Sequence, residues 1–476
     1  MNSTARTVSF RRMTATVLLL LPTAVLAGCV VDPRPDYERA AAIIRDHTGA
    51  SETYLPGGDE AAIRSAVAAM LADGLTVDEA VRIAMLNNPR LQALFCDVGV
   101  SRAEVVQAGL PPNPTFSFTE GFPQGGGMPS LTFSASQSLI ELLLIPIRKK
   151  IAESQLQQSQ LAVAQQAVEL VGDVKRACYL LISLQKAEEI TLEDLALAGR
   201  STALAQRRFE AGEGDKLDVN LARSDELDVQ RELLVLRRDR HVGQAVLAGL
   251  LGLSRGDLAW KVAGELPAPH SLPDMASLLE KAMGERLDAR IAGLRIAAAR
   301  AELKRQQGSV VPSVGLGFEY ERADSPPNLR GPTADLTIPA WDQNQAQIAK
   351  AAVLIARQER EYEDALNAVA QDVHKAAAAA RAGADIVQFY DHESLPLSDG
   401  NVQSAARAYE TGLTDILRLT QAQRTLIEQR QAYVAAMREY AIAVADLEQA
   451  VGGRLGEAAA APAPSPEAPE AASPNP

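Results

Sequence analysis

Apolar positions recur with helical spacing along most of this chain, and in four short stretches they switch to strict alternation. A change of period from 3.6 to 2 marks a change from amphipathic helix to two-faced strand. In Thr115–Phe122, the residues Phe116, Phe118 and Phe122 share one face and Thr115, Ser117 and Thr119 the other, with Glu120 an exception on the apolar side. In Ser130–Leu139, the residues Leu131, Phe133, Ala135 and Leu139 oppose Ser130, Thr132, Ser134, Ser136 and Ser138, with Gln137 the exception. A second pair is expected at Ser313–Glu321 and Thr333–Ala340. There Val314, Leu316, Phe318 and Tyr320 oppose Ser313, Gly315, Gly317, Glu319 and Glu321, and Ala334, Leu336 and Ile338 oppose Thr333, Asp335 and Thr337. Each stretch has roughly the 9–11 residues of a tilted membrane strand.

The rest of the pattern is helical, and it is given twice. The first copy opens at "LTVDEAVRIAMLNNPRL" (Leu75–Leu91), where Thr76 and Glu79 form a capping box and Asn87-Asn88-Pro89 ends the helix. A second helix is expected from Pro89 to Gly109, stopped by Pro111, Pro112 and Pro114. From Ile147 to Leu266 there is no proline, which predicts two long helices meeting at a turn. That turn lies in "RRFEAGEGDKLDVNLARSD" (Arg207–Asp225), and "RAYETGLTDILRLTQAQRT" (Arg407–Thr425) repeats it. Phe209 aligns with Tyr409, Gly212 with Gly412, Asp215 with Asp415 and Leu217 with Leu417. An aromatic and a glycine between long proline-poor runs is how a helical hairpin turns at its tip. Arg300-Ala301-Glu302 likewise matches Arg102-Ala103-Glu104, Pro312 matches Pro112 and Gly452 matches Gly252. The copies span 75–263 and 273–454, joined by a linker at 264–272, with Pro396 expected to kink or break the second long pair. Before them, 29–74 is polar and expected to be irregular apart from one short helix near Asp59–Leu71. After them, the Ala/Pro/Glu-rich segment 455–476 reads as a disordered tail.

Composition narrows the choice. The 476 residues carry a formal net charge of −13, which argues against a nucleic-acid partner. Hydrophobic residues make up 47% but aromatics only 4%, a balance that suits helix-on-helix packing. No internal run reaches the roughly 18 apolar residues of a spanning helix, so a membrane crossing would use strands. Residues 1–28 read as a targeting segment, with Arg6, Arg11 and Arg12 before a short apolar stretch, Met13–Leu26. It ends in Leu26-Ala27-Gly28-Cys29, which resembles a bacterial lipobox. The resemblance implies cleavage before Cys29, acylation of that cysteine, and, with Val30 following, delivery to the outer membrane. An ordinary signal peptide with a chance cysteine is the alternative.

Helix, hairpin and long helical pair, twice over behind a lipobox, resembles the TolC family of outer-membrane efflux proteins over about Leu75–Gly453. The opening motif, the two aromatic-x-x-Gly tips and the terminal "LEQAVGG" carry the resemblance together. "IPAWDQNQAQIAKA" (Ile338–Ala351) looks like the "FDRNQG" stretch of the CzcC-like heavy-metal branch, with Trp341, Gln343 and Ala346 departing from it. The resemblance implies a mainly α fold with a small β part: long antiparallel helical hairpins forming a periplasmic tunnel, and four strands per protomer in a trimeric twelve-stranded barrel. Three protomers would also close sheet edges that cannot lie open in lipid. It implies a passive export duct, coupled through a periplasmic adaptor to an inner-membrane pump of the RND type. Family members close the periplasmic end with polar and charged residues after the tip glycine and dock the adaptor there. Here those positions are Gly212, Asp215 and Asp218 in the first tip and Gly412, Asp415 and Arg418 in the second. Asp218 and Arg418 are candidates for a closing ion pair in one ring. Asp215 and Asp415 serve equally as caps of the returning helices. Glu319, Glu321 and Asp335, on the polar strand face, would line the lumen and favour cations, or simply be solvated there.

No catalytic constellation is present. His47, His241, His270, His374 and His392 lack metal-ligand spacing, and the glycines Gly125–Gly127 lack the lysine of a phosphate-binding loop. No cofactor and no enzymatic activity are expected. Cys96 and Cys178 fall within helical patterns and read as small buried hydrophobes, although an oxidising compartment leaves a disulfide open. A lipid-anchored periplasmic coiled-coil scaffold without a pore is the competing reading. The four alternating stretches argue against it. Metal ions, drugs and secreted polypeptides all remain possible cargoes.

Overall fold

The computed structural model describes residues 31–72, 74–122, 129–253, 260–322 and 328–455. The leader with Cys29, the loop residues 123–128 and the tail beyond Leu455 lie outside the described residues. Helices α1 (Arg34–Thr48) and α2 (Glu60–Met70) precede the first copy. That copy consists of α3 (Val77–Asn87), α4 (Pro89–Gly109), β1 (Thr115–Gly121), β2 (Ser130–Ser138), α5 (Leu139–Glu210) and α6 (Lys216–Leu250). The second consists of α7 (Met275–Glu285), α8 (Leu287–Gly308), β3 (Ser313–Arg322), β4 (Leu329–Thr337), α9 (Gln345–Phe389), a π-helical turn (Tyr390–Ser394), α10 (Leu395–Glu410) and α11 (Ile416–Ala450).

Local chemistry sets the element boundaries. Both arms of the capping box form: Thr76 Oγ1 accepts from the Glu79 amide at 3.3 Å, and Glu79 Oε2 accepts from the Thr76 amide at 2.9 Å. Asn88 caps α4 through its Oδ1, while its Nδ2 donates to the Leu250 carbonyl at 2.8 Å. Asn87 donates to the Leu251 carbonyl at 2.8 Å. The Asn-Asn-Pro motif therefore ends one helix, starts the next and ties both to the C-terminus of α6. A parallel bridge between Leu75 and Val262 closes the same region.

Helix α5 has 72 residues, about 108 Å at 1.5 Å per residue. The largest core cluster gathers about its first half, where Val163, Ala164, Ala167, Val174 and Cys178 meet Ile44 of α1, Ile83 of α3, Phe95 of α4 and Leu247 of α6. A second cluster joins α7, α9 and the end of α11 through Leu278, Val369, Val373, Ala377, Ala380 and Leu447. The alanine run in α9 is packing, as its small side chains suggest: Ala376, Ala377 and Ala380 are all buried.

The four strands form one antiparallel sheet in the order β1-β2-β3-β4. Within the chain, β1 and β4 each pair along one side only, so both sheet edges are open among the described residues.

Several expectations fail in instructive ways. The segment before α2 is not irregular: α1 starts at Pro33-Arg34-Pro35, where proline is tolerated because the first amides of a helix have no partner. Helix α5 begins at Leu139 and runs through Pro146, rather than starting after it. Strand β4 begins four residues earlier and ends three residues earlier than its alternation suggested, and it contains Pro332 opposite Phe318. Proline is admissible there because β4 is an edge strand of the chain. Cys96 is exposed, contrary to the expected buried pair, and only Cys178 is buried; both are free thiols. Near Pro396 the regular α-helix is interrupted, as expected: α9 ends at Phe389, a π-helical turn intervenes, and Pro396 lies in the first turn of α10. The π-helical turn just before it absorbs the lost hydrogen bond and the clash of the ring with the preceding turn.

Candidate functional site

Two regions carry surface chemistry that packing does not explain. The first is the sheet. Its register puts Phe116, Phe118, Phe133, Ala135, Leu316, Phe318, Ala334 and Leu336 on one face. Large apolar side chains stand out there: Phe116 is 76% exposed and Leu336 60%. Phe118 and Phe133 are cross-strand partners with ring centroids 5.0 Å apart. The opposite face carries hydroxyls, glycines and acids. Ser117 and Ser134 hydrogen bond across β1 and β2 at 2.9 Å. Glu319 lies between Ser134 and Gly331, Glu321 between Thr132 and Leu329, and Asp335 opposite Gly315. All three predicted acids thus share the polar face. One face suits hydrocarbon and the other water, as a strand in a membrane channel requires. Polar residues on the apolar face lie at its two ends: Gln137 donates to the Pro112 carbonyl at 3.1 Å, and Glu120, opposite Leu131, and Arg330, opposite Tyr320, stand toward the other end.

The second region is the pair of hairpin tips. Helix α5 ends when Gly212 takes φ +78°, and α10 ends when Gly412 takes φ +72°. At each tip two amides cap the outgoing helix. Gly212 N donates to Phe209 O and Glu213 N to Arg208 O; Gly412 N donates to Tyr409 O and Leu413 N to Ala408 O. This is the Schellman closure, and it needs a left-handed residue at the glycine position. The returning helices are capped by the predicted aspartates. Asp215 accepts from the Leu217 amide at 3.3 Å and Asp415 from the Arg418 amide at 3.2 Å.

The tips pack together asymmetrically. Phe209 is half-exposed, whereas its counterpart Tyr409 is buried with Ile416 and Leu419. Arg208 from the first tip lies over the Tyr409 ring at 4.7 Å and donates to the Tyr409 carbonyl at 2.9 Å and the Glu213 carbonyl at 3.2 Å. Burial raises the Tyr409 phenol above its ordinary pKa; Arg208 works against this and Asp218 adds to it. Arg418 is exposed, beside Ser398, Asn401 and Gln421. The chain does not bring Asp218 and Arg418 together as an ion pair among the described residues. Leu217, Leu413 and Leu417 project from the tips, 60%, 82% and 60% exposed.

Farther along the hairpins, polar links join the two copies. Ser201 and Gln423 hydrogen bond while buried, Arg424 pairs with Asp225, and Arg430 donates to Asp194 at 2.9 Å. None of these links was singled out from sequence. Arg208 and Tyr409 had a signal, since an aromatic residue stands at the same place in both copies and Arg207-Arg208 precedes the first. Asp194 and Arg430, 236 residues apart, had none.

Comparison with known proteins places the chain in a family and identifies its fold. A family model described as outer membrane efflux protein matches residues 80–253 and 278–453. The chain is 21% identical over 397 residues to the cobalt-zinc-cadmium resistance protein CzcC of Cupriavidus metallidurans, covering 80% of this chain and 91% of that protein. It is 26% identical over 299 residues to the pyoverdine export outer membrane protein OpmQ of Pseudomonas putida, covering 60% of this chain and 62% of that protein, less than two thirds of its length. Among solved structures, the outer-membrane channel OprN superposes with a TM-score of 0.69 at 18% identity, over 85% of this chain and 95% of that one. VceC of Vibrio cholerae gives 0.68 at 17% identity, over 79% of this chain and 96% of that one. The fold is thus that of outer-membrane channels, with two helical hairpins and a two-faced sheet, and the chain belongs to the outer membrane efflux protein family.

Proposed function

We propose that the protein is the passive outer-membrane duct of a tripartite efflux system. Three copies pool their four strands into a twelve-stranded barrel, and the long hairpins extend the conduit into the periplasm. The observation that carries this reading is the sheet: one face of exposed Phe and Leu, one of Ser, Thr, Gly and acid, and two open edges. An open edge leaves unpaired amides and carbonyls that lipid cannot satisfy, and pairing β1 of one copy with β4 of the next removes both edges. Acyl chains on Cys29 add a periplasmic-leaflet anchor.

The tips face the inner membrane in this arrangement. Their projecting leucines offer an apolar surface for a periplasmic adaptor, through which an inner-membrane pump of the RND type delivers cargo. Gly212 and Gly412 turn the tips, and Asp215 and Asp415 hold the returning helices. Asp218 and Arg418, apart within one chain, meet only between neighbouring copies if they close the duct. At the other end Glu319, Glu321 and Asp335 line the barrel and favour cations. The Ile338–Ala351 stretch and the coverage of the CzcC relative favour the heavy-metal branch of the family.

Light scattering on the detergent-solubilised full-length protein should give the mass of a trimer; a monomer would contradict the reading. In planar bilayers the Asp218→Ala/Arg418→Ala protein should stay open more than the wild type. Unchanged closure would remove the gate and leave the duct.

A further inference from the structure

The long helices form a layer with two edges. Helix α5 packs on α6 and α11, and α11 packs on α9 and α10, so α6 stands at one edge and the α9–α10 arm at the other. Each edge carries an apolar stripe that stays exposed. On α6 it is Leu227, Leu234, Val242 and Val246, with Arg231 and Arg238 between them. On the other arm it is Ile386, Phe389 and Leu397, with Glu393 between the last two. Residues three or four apart share one helix face, and an apolar seam at that spacing is how a helix meets a partner helix.

The two stripes match in charge and in level. Arg237 and Arg240 both reach Glu188 of α5, at 2.9 and 3.4 Å, and Arg238 pairs with its sequence neighbour Asp239, so this part of α6 carries excess positive charge. On the other edge Asp385, Asp391 and Glu393 are exposed and make no ion pair or hydrogen bond among the described residues. Arg381 nearby donates to the Pro273 carbonyl instead. The two tips are level, since Arg208 of the first donates to the Tyr409 carbonyl of the second. At 1.5 Å per residue, Leu234, Arg238 and Val242 stand about 27, 33 and 39 Å from the start of α6 at Lys216. Glu393, Phe389 and Ile386 stand about 26, 32 and 36 Å from the end of α10 at Glu410. A chain cannot join its own edges, because α5 and α11 lie between them; a second copy can.

We propose that α6 of one copy packs antiparallel against the α9–α10 arm of the next, with Leu234 level with Glu393, Arg238 set between Glu393 and Asp385 beside the Phe389 ring, and Val242 against Ile386. The seam takes exposed leucine, valine and phenylalanine out of water and gives unpaired carboxylates an arginine partner. It presupposes three copies around one barrel and adds which helix edges meet and at what height. Sheet and helices then close the same way. Strand β4 leads into α9, and α6 lies on the β1 side of α5, so the copy whose β1 meets β4 also brings its α6 to that arm.

Disulfide trapping tests the seam on the full-length protein in detergent, in a Cys96→Ser background. Oxidised Val242→Cys/Ile386→Cys protein should run as covalent dimer and trimer on non-reducing gels. Val242→Cys/Leu397→Cys, about 20 Å out of register, and each single cysteine variant should stay monomeric. The charge pairing is read from dissociation of the trimer on heating: Arg238→Glu should lower the midpoint, and Arg238→Glu/Glu393→Arg should restore it. No cross-link from Val242→Cys/Ile386→Cys in a protein that light scattering finds trimeric would overturn the seam and leave the duct standing. A cross-link from a single cysteine would mean that like edges meet, and one from the out-of-register pair that the level is wrong; either overturns it. A charge swap that restores nothing would overturn the pairing of Arg238 with Glu393. A monomer would remove the seam and the duct together.

Discussion

Tyr409 and Asp194 show how much of the hairpin region rests on single polar groups buried against helices. The Tyr409 hydroxyl is buried without a hydrogen-bond partner, so removing it costs little. Tyr409→Phe should change thermal stability by no more than about 1 kcal/mol. Tyr409→Ala deletes the ring beneath Arg208 and should cost about 3–5 kcal/mol. Thermal circular dichroism separates the two outcomes. Asp194 carries a pH dependence. Burial pushes its carboxyl from 3.8 up to about 6, against the pull of Arg430 and with a small push from Glu193. A raised carboxyl means that the folded state binds the proton more tightly. Its stabilising contribution is therefore complete below about pH 4 and is lost as pH rises through about 6. The change is on the order of 2–3 kcal/mol. Asp194→Asn, permanently neutral, should gain stability relative to wild type at pH 7 compared with its difference at pH 4. A pH-independent difference would show that Arg430 holds the carboxylate ionised. Nothing in the sequence marked Asp194: an acid at a helix-compatible position reads as a surface residue until a helix from the other copy covers it.

Secondary structure was more readable than side-chain environment, because it is decided locally. The capping box at Thr76, the Asn-Asn-Pro boundary and the two tip glycines each specify their element through neighbours within a few residues. The errors fall where tertiary context overrules local preference. Pro332 sits in a strand that is an edge within the chain, where its missing amide need not be supplied to β3. Pro146 and Pro396 lie within helical runs, the latter just after a π-helical turn. At the tips, the left-handed backbone predicts a graded response. Gly212→Ala meets no neighbouring atom and should cost about 1–2 kcal/mol from conformation alone. Gly452→Ala has the same backbone hand, but its added carbon would lie 3.1 Å from the Glu285 backbone, so its loss should be larger. Equal losses in thermal unfolding would show that strain alone, without contact, sets both.

Over the whole molecule, the repeat is what makes the architecture legible, and the asymmetry between its copies is what the sequence conceals. Phe209 and Tyr409 align, yet only Tyr409 is buried, because the second tip packs beneath Arg208 of the first. Alternation identified the two faces of the sheet, including all three acids, but not what lies beyond its edges. In the proposed twelve-stranded barrel, ion preference is a property of the assembly. Glu319→Gln/Glu321→Gln/Asp335→Asn should move the reversal potential in a salt gradient toward that of a non-selective pore, and an unmoved potential would take these acids out of the conduction path. The proposed duct rests on one face of the sheet meeting water and the other meeting lipid. Substituted-cysteine labelling in planar bilayers, in a Cys96→Ser background, reads it out. A charged, membrane-impermeant thiol reagent should cut the conductance of Ser134→Cys and Thr333→Cys channels and leave Phe118→Cys and Phe318→Cys channels unaffected. Block of the phenylalanine-face variants, or no block of the serine and threonine ones, would contradict a duct lined by the polar face.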